Sequence, residues 1–375
     1  MDPVVRLLRD LVAIDSVNPT LVPGAAGEAR VGDAIAQTLR RMRLDVTVQR
    51  VEGDRANVIG VLEGRAPGPT LMFCGHTDTV GVEGMDAPFD PIERDGRLYG
   101  RGAQDMKGGL AAMIDAARVV SEQGLDTGRL VIAAVVDEEY ASLGADALVT
   151  TWKADAAVVT EPTDLAIATC HKGFAWYEIE TRGRAAHGSR PHEGRDAIMR
   201  MGRVLHELEQ LDRRLQSAPP HPLLGTGSLH ASIIAGGREL SSYPDRCVLR
   251  CERRTLPTES VAHATAEVMT IVARLHAGDP EFEGTLRPIF SRPAYELAAA
   301  HPLARALAAA ATRVSPAVGM SFWTDAAVLG GAGIPSVLFG PGGAGLHGTV
   351  EYVTVADVLA CRDALAALAR SWCRA

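Results

Sequence analysis

Apolar and polar residues alternate with two different periods along the first third of the chain. Apolar positions recur at helical spacing in residues 3–13, 28–42 and 107–122, which predicts three amphipathic helices. Residues 44–51 and 58–62 have the composition of strands. This alternation predicts an α/β domain in which helices cover both faces of a sheet.

Four further apolar runs are short enough to be buried strands, and a side chain that can bind a metal ion follows each of them. The runs are residues 71–74, 130–136, 156–159 and 337–339, and the side chains that follow them are His76, Glu139, Glu161 and His347. In open α/β sheets, ligands bind outside the carboxyl ends of the strands. We therefore expect these four side chains to lie near one another.

The pattern changes in the middle of the chain. Residues 174–290 have the order strand, helix, strand, strand, helix, strand, which predicts a ferredoxin-like α+β domain. Helix and strand patterns of the first kind resume beyond residue 291. We expect a discontinuous metal-binding domain, formed by residues 1–172 and 291–375 around a mixed sheet, with a smaller domain inserted at residues 173–290.

Composition narrows the class of protein. The 375 residues exceed the roughly 250–300 at which single cores usually stop growing. No window supplies the roughly 20 apolar residues of a membrane span. The formal charge of -8 argues against nucleic acid or an anionic membrane as a partner and favours a small polar substrate.

The cysteines and the first 15 residues indicate in which cellular compartment the protein is expected. The six cysteines lack the spacing of a disulfide framework. The close pair Cys247 and Cys251 has no second pair or histidine cluster beside it, so a structural role is favoured over zinc binding. The first 15 residues lack a signal-peptide core. We expect reduced thiols in the cytoplasm.

Two of the candidate ligand motifs each have an alternative interpretation. Asp78 lies two residues after His76, on the same side of an extended backbone, where it can hold the second imidazole nitrogen. The alternative is a loop histidine with an acid nearby. Asp105 lies in the glycine-rich segment of residues 100–109, where it can bridge two cations or cap the helix that follows.

Three consecutive carboxylates, Asp137, Glu138 and Glu139, follow the strand predicted at residues 130–136. Their mutual repulsion is costly unless a cation neutralises it. Adjacent residues of an extended chain point to opposite sides. One glutamate can therefore bind a metal ion while the other reaches a water molecule, although a solvated acidic turn would have the same sequence.

Residues 340–345 match G-x-G-x-x-G after a strand, which is the pattern of a dinucleotide site. No helix pattern opens after this segment and no βαβ unit follows it, so we reject nucleotide binding. The glycines instead allow the loop to carry His347. That residue is either a ligand or an ordinary loop histidine.

Taken in chain order, these segments resemble the M20 family of zinc-dependent amidohydrolases and exopeptidases, which includes acetylornithine deacetylase. The similar segments are GHTDTV at 75–80, GRGAQDMKGG at 100–109, the pair Glu138-Glu139, TEPTDL at 160–165, AHGSRP at 186–191 and LHG at 346–348. The resemblance covers nearly the whole chain. It implies a zinc-exopeptidase-like catalytic domain with an inserted domain.

The resemblance also implies two zinc ions per chain, for which cobalt can substitute. One acid would bridge the ions, and a histidine and a glutamate would complete each site: Asp105, then His76 with Glu161, and Glu139 with His347. Glu138 would be the general base for a water activated by both ions, and Asp78 would support His76. The implied reaction is hydrolysis of an amide bond.

Two residues of the inserted domain gain roles from the same resemblance. His187 would stabilise the tetrahedral intermediate, in several family members from the partner subunit, which implies a homodimer formed through this domain. Arg254 would hold a substrate carboxylate through paired hydrogen bonds. The chain departs from the family here, because Glu252 replaces an aspartate and residues 241–244 (SSYP) lack the asparagine that many members have before the proline.

Residues 76–80, 95–100 and 171–173 look most like acetylornithine deacetylase. The expected substrate is therefore an N-acyl amino acid with a small acyl group and a free α-carboxylate, which points to amino-acid metabolism. Succinyl-diaminopimelate desuccinylase and M20 dipeptidase or carboxypeptidase activities are alternatives with the same chemistry. An alternative of another class is a metal-free binding homologue without catalytic activity.

Overall fold

The computed structural model describes residues 1–313 and 316–374, and the chain divides into two compact units. The first unit comprises Met1–Thr169, Leu297–Val318 and Thr324–Ala375. The second unit comprises Cys170–Glu296 and Gly319–Trp323. The mixed α/β fold class predicted from the sequence is confirmed.

Helices and strands alternate along most of the chain. Within the described ranges the α-helices are α1 (Pro3–Val12), α2 (Ala29–Arg41), α3 (Gly108–Gln123), α4 (Leu143–Thr151), α5 (Ala197–Ser217), α6 (Val261–Gly278), α7 (Pro302–Ala310), α8 (Ala326–Gly331) and α9 (Val355–Trp372). The strands are β1 (Asp45–Glu52), β2 (Arg55–Glu63), β3 (Ala66–His76), β4 (Ile92–Arg94), β5 (Arg97–Tyr99), β6 (Thr127–Val135), β7 (Ala156–Val159), β8 (Ala168–His171), β9 (Gly173–Arg182), β10 (Ser228–Gly236), β11 (Arg246–Thr255), β12 (Glu283–Arg292), β13 (Tyr295–Glu296), β14 (Val318–Met320), β15 (Ser336–Leu338), β16 (Gly343–Ala344) and β17 (Tyr352–Thr354).

The main sheet of the first unit has four parallel strands at its centre. In the order β1-β2-β6-β3-β7-β15, the strands β6, β3, β7 and β15 run parallel, whereas β1 and β2 form an antiparallel edge. The apolar run Leu71, Met72, Phe73 and Cys74 in β3 is fully buried. A strand that is buried on both faces needs such a continuous apolar run, which is why the sequence identified these strands.

The pattern did not reveal the smaller elements of the first unit. A second sheet has the order β16-β17-β5-β4, and none of its strands exceeds three residues. A strand this short shows too little alternation for a period of two to be recognised. The sequence analysis also did not predict helix α4, which follows the acidic segment. The apolar and polar residues of this helix form only a weakly amphipathic pattern.

The second unit contains the predicted βαββαβ order, with its antiparallel sheet arranged β10-β11-β9-β12. Both α5 and α6 pack on this sheet, and its core includes Tyr177, Ile179, Met201 and Leu249. Cys247 and Cys251 also belong to that core. All six cysteines of the chain are buried and free of disulfide bonds.

Within residues 1–313 and 316–374, no helix combines the length and the apolar character that crossing a membrane requires.

Candidate metal centre

Three of the candidate ligands emerge at one edge of the main sheet. His76 is the last residue of β3, and the parallel neighbours β6 and β7 end at Val135 and Val159, shortly before Glu139 and Glu161. The register pairs His76 with Val135, so these strands end at the same level. Side chains that are distant in the sequence therefore meet at the carboxyl edge of the sheet.

The carboxylate of Asp105 lies between two histidines from distant parts of the chain. Its Oδ1 is 3.1 Å from Nε2 of His76, and its Oδ2 is 3.4 Å from Nε2 of His347. Asp105 does not cap the following helix, because α3 begins at Gly108 with Lys107 in the N-cap position. The two oxygens of one carboxylate thus face two different histidines.

The side chains of the adjacent Glu138 and Glu139 approach different histidines of this cluster. Glu139 Oε2 is 3.1 Å from Nε2 of His347. Glu138 Oε2 lies 3.9 Å and Glu161 Oε1 lies 3.8 Å from Nε2 of His76. The divergence of Glu138 and Glu139 follows the turn that begins at Asp137, which has a positive φ of 70°.

Burial and the closeness of the charges strongly shift the pKa values of the side chains in this cluster. Burial, and then the charge of Glu161, raise the pKa of Glu138 well above its usual range. Burial and the charge of Asp105 raise the pKa of Glu139 to about 7. Hydrogen bonds with Asp105 and Glu139 raise the pKa of His347 to about 10. A cluster of buried carboxylates therefore needs positive charge, which either protons or a bound cation can supply.

The donor atoms are close enough to share a cation. One such atom from each of His76, Asp105 and Glu139 lies within 4.8 Å of the others, and the same is true of His76, Glu138 and Glu161. Oε1 of Glu139 is buried and has no hydrogen-bond partner among the residues that the structure describes. Imidazole nitrogens and carboxylate oxygens are the donors that zinc and related divalent ions accept. The residues present thus fit a divalent cation.

Asp78 faces the second nitrogen of His76, and it makes further contacts that the sequence did not predict. His76 Nδ1 lies 3.0 Å from the backbone carbonyl oxygen of Asp78 and 3.6 Å from its carboxylate. That carboxylate also accepts the backbone N–H groups of Glu138 at 3.1 Å and Glu139 at 3.2 Å. One residue therefore orients the imidazole through its backbone and the two glutamates through its side chain.

A buried polar network behind Asp78 was not found from the sequence. Asn18 Nδ2 donates to Asp78 at 2.8 Å and to Asp137 at 3.0 Å. Arg55 Nη2 donates to Glu28 at 2.5 Å and to the same oxygen of Asp137 at 2.8 Å. All five residues are buried. Arg55 is a single arginine at the start of β2, directly after a turn, and one residue carries no periodic pattern, so no feature of the sequence pointed to this role.

The structure places His187 and Arg254 in the second unit. The exposed His187 has Nδ1 2.8 Å from the hydroxyl of Ser189, and the same nitrogen accepts the N–H of Ser189 at 3.2 Å. Arg254 Nε is 2.5 Å from Glu252 Oε1, and its guanidinium lies 5.7 Å from the ring centre of Phe174. The residue that departs from the family pattern, Glu252, is therefore the ion-pair partner of Arg254.

A parallel sheet with histidine and carboxylate donors at its carboxyl edge, and a further glutamate beside them, is the arrangement of a metal-dependent hydrolase. Comparison with known proteins agrees. Residues 72–371 match the model of peptidase family M20/M25/M40. The chain belongs to this family and is an M20 metallo-amidohydrolase or peptidase.

Several relatives extend over nearly the whole chain. An acetylornithine deacetylase of Myxococcus xanthus is 31% identical over 390 residues, which cover 98% of this chain and 96% of the relative. An N-formyl-4-amino-5-aminomethyl-2-methylpyrimidine deformylase of Bacillus subtilis is 28% identical over 99% of this chain and 95% of its own length. Among solved structures, the Bacillus subtilis YxeP protein, a dinuclear metal-binding peptidase from the M20 family, has a TM-score of 0.76 at 16% identity, covering 99% and 98% of the two chains. At 16% identity, the similarity to the YxeP protein concerns the fold alone.

Proposed function

We propose that this protein hydrolyses the amide bond of N-acyl amino acids, in the manner of an acetylornithine deacetylase. The observation that carries the proposal is the divergence of two adjacent glutamates. Glu139 lies against His347, whereas Glu138 faces His76 and Glu161. Such a site has a carboxylate for binding a metal and a second one for moving a proton.

The proposed cofactor is a pair of zinc ions, with cobalt as a substitute. His76, Asp105, Glu139, Glu161 and His347 would hold them, with Asp105 shared. When bound, two divalent cations acidify water and polarise the amide carbonyl. The similarity in fold to a dinuclear peptidase and the two-sided contacts of Asp105 support two ions rather than one.

Glu138 is the proposed general base. It would take the proton from the attacking water and deliver it to the leaving amine. A raised pKa suits this exchange, because a carboxylate with an ordinary pKa holds a proton too weakly near neutral pH. The carboxylate of Asp78 holds the backbone N–H of Glu138 and so restricts where this side chain can reach.

His187 is proposed to stabilise the tetrahedral intermediate. Because its Nδ1 accepts the N–H of Ser189, the proton of the neutral ring resides on Nε2. An exposed Nε2–H group is a hydrogen-bond donor for an oxyanion. The contact with Ser189 therefore supplies the tautomer that this role requires.

Arg254 is proposed to hold the α-carboxylate of the substrate. A planar guanidinium binds a carboxylate through two parallel hydrogen bonds. Glu252 already pairs with Nε, so a substrate carboxylate would share the guanidinium with an acid of the protein. In an Arg254→Met variant we expect KM to rise for substrates with a free α-carboxylate and to change little for their amides.

A homodimer through the second unit is part of the proposal. Strand β10 is an edge strand of its sheet, and Ile233 and Ile234 are 58% and 52% exposed. Exposed apolar edge strands tend to pair with another chain. Light scattering should give two chains per particle for the wild type and for the control Val48→Lys, and one for Ile234→Lys. A monomeric wild-type protein would refute the dimer.

The second unit also supports the proposal of an inserted domain at residues 173–290. Apart from Gly319–Trp323, this unit is one continuous stretch, Cys170–Glu296, and chain of the first unit precedes and follows it. A cytoplasmic location is proposed because none of the six cysteines forms a disulfide bond in the structure, since oxidising compartments favour such bonds.

The competing possibility is a binding protein without metal or activity. The close grouping of His76 with Asp105 and Glu139, and of His76 with Glu138 and Glu161, argues against it, because buried acids are costly without a cation. Metal analysis of the purified protein separates the two. Fewer than one divalent ion per chain, together with no response to added zinc, would favour the binding protein.

Substrate preference is tested with a panel in the presence of zinc or cobalt. N-acetylornithine, N-acetylmethionine, N-succinyl-diaminopimelate, simple dipeptides and an N-formyl aminomethylpyrimidine cover the proposed reaction and its rivals. Turnover of dipeptides alone would refute the deacylase. A Glu138→Ala variant should keep its metal and lose about 10²–10⁴-fold in kcat, whereas the exposed control Glu122→Ala should not. Unchanged activity in Glu138→Ala would refute the assigned base.

A further inference from the structure

A buried ion pair in the first unit joins two of the loops that carry candidate ligands. Arg101 Nη1 lies 2.6 Å from Glu351 Oε2, and the two side chains are 3% and 0% exposed. Neither residue belongs to the set of candidate ligands. Arg101 precedes Asp105 by four residues, and Glu351 follows His347 by four.

The carboxylate of Glu351 determines the path of the backbone around Asp105. It accepts the N–H groups of Gly102 at 3.0 Å, Gln104 at 2.9 Å and Asp105 at 3.1 Å. Asp105 has φ and ψ of -113° and 95°, which are not helical values. A side-chain carboxylate therefore binds N–H groups in a segment where the backbone departs from a regular helix.

The Arg101 side chain in turn binds the backbone of the loop that carries His347. Its Nη2 donates to the carbonyl oxygen of Gly348 at 3.0 Å, next to His347. Its Nε donates to the carbonyl oxygen of Gly81 at 3.0 Å, in the segment that follows His76. His347 itself has a φ of 58°, which is unfavourable for a residue with a side chain, so the surrounding loop must be held in place.

The two residues therefore form a reciprocal connection. The acid from the His347 loop holds the loop of Asp105, and the arginine from the Asp105 loop holds the loop of His347. By contrast, His76 is the last residue of β3 and Glu161 follows the end of β7 by two residues, and these two strands pair directly with each other. Loss of the ion pair would therefore disturb Asp105 and His347 more than His76 and Glu161.

We propose that Arg101 and Glu351 are positioning residues for the metal site formed by Asp105, Glu139 and His347. This inference rests on the proposed dinuclear centre. It differs from a purely structural role for the ion pair, which would lower the stability of the whole unit without distinguishing one metal site from the other. The difference is measurable on the metal-loaded protein without any assay of turnover.

The experiment is a titration of the metal-free, full-length protein with Co²⁺, followed by calorimetry and by the visible absorption of the bound ion. The variants are Glu351→Gln and Arg101→Lys. The control is Glu259→Gln in the second unit, where the carboxylate likewise binds an arginine and a backbone N–H group, those of Arg253 and Leu256. Thermal unfolding of each metal-free variant reports stability separately.

The wild type and Glu259→Gln should bind two ions in two steps. In Glu351→Gln one step should lose about 10–100-fold in affinity, with an altered cobalt spectrum, because its ion would lose the placement of both Asp105 and His347. The other step, which depends on Asp105 as the shared ligand but keeps His76 and Glu161, should lose less. Arg101→Lys keeps the positive charge beside Glu351 but cannot reach all three acceptors. It should show the same selective loss, and it decides the matter if Glu351→Gln does not fold.

Two results would overturn the inference alone: unaltered binding of both ions by Glu351→Gln or by Arg101→Lys, or equal weakening of both steps. A wild-type protein that binds no second ion would overturn the dinuclear centre itself, and the inference with it. These outcomes are distinguishable because the wild type is titrated in the same way.

Discussion

Replacing Arg55 with methionine tests the buried network behind the candidate metal centre. The guanidinium contacts Glu28 and Asp137, and the side chains of all three residues are at most 6% exposed. Methionine keeps much of the apolar length of arginine but provides no charge or donor. The variant leaves two buried carboxylates without their countercharge. Among the residues that the structure describes, the amide of Asn18 and local backbone N–H groups would still donate to Asp137.

The expected destabilisation follows from this burial. Removing one partner of a buried ion pair costs about 3–5 kcal/mol, whereas an exposed pair is worth about 0–1 kcal/mol. Arg65→Met is the matched control, because Arg65 and Asp126 are 3.7 Å apart with side chains that are 77% and 56% exposed. Urea unfolding of both variants, followed by circular dichroism, gives the change in the free energy of unfolding.

The effect of Arg55→Met should also depend on pH. Burial already raises the pKa of Glu28 in the wild type, and loss of the neighbouring guanidinium raises it further. A carboxyl group whose folded pKa exceeds its unfolded value destabilises the folded state increasingly as pH rises. The loss should therefore be larger at pH 8 than at pH 5. A loss below about 1 kcal/mol at pH 8, equal to that of the exposed control, would refute the reasoning.

Three further expectations concern separate parts of the chain. Burial lowers the pKa of His171 to about 4, below its unfolded value of about 6.5, so the wild type should lose about 1.4 kcal/mol per pH unit as pH falls between these values. In urea unfolding at pH 4.5, 5.5 and 6.5, His171→Phe should reduce this dependence, and an unchanged slope would contradict the assignment. A Cβ at Gly109 would lie 1.9 Å from the carbonyl oxygen of Thr160, so Gly109→Ala should lower the melting temperature, with a cost of about 1–3 kcal/mol. Gly202→Ala, which has open space in α5, should be neutral or stabilising, and equal melting temperatures would refute the clash. Asp78→Asn should weaken zinc about 10–100-fold in a chelator competition, and wild-type affinity would show that the contacts of its carboxylate do not matter.

Much of the fold could be predicted because its central strands are buried on both faces. The runs that contain Phe73 and Val158 are continuous in apolar residues, and this pattern is visible without any knowledge of neighbours. The small sheet of β4, β5, β16 and β17 was missed because its strands are too short to show a period. The order of the strands was also hidden, since it depends on pairing between segments far apart in the chain.

The candidate ligands were predictable for a related reason. His76, Glu139 and Glu161 follow apolar runs, so the placement of each near the end of a strand could be predicted from its neighbours in the sequence. The sequence expectation for Asp78 was incomplete, because its carboxylate lies 3.6 Å from the imidazole and also binds the N–H groups of Glu138 and Glu139. Those N–H groups lie at least 60 positions away, so only folding brings them to the aspartate.

The sequence by itself determined the types of the longer elements, the α/β class and the residues with metal-binding chemistry, because each of these depends on local pattern and residue identity. The tertiary structure alone decided which polar residues hold that site together. Arg55 meets Asp137 across 82 positions, and Glu351 meets the N–H of Asp105 across 246. A buried charge is stable only beside its partner, and the sequence does not show which partner the fold will bring to it.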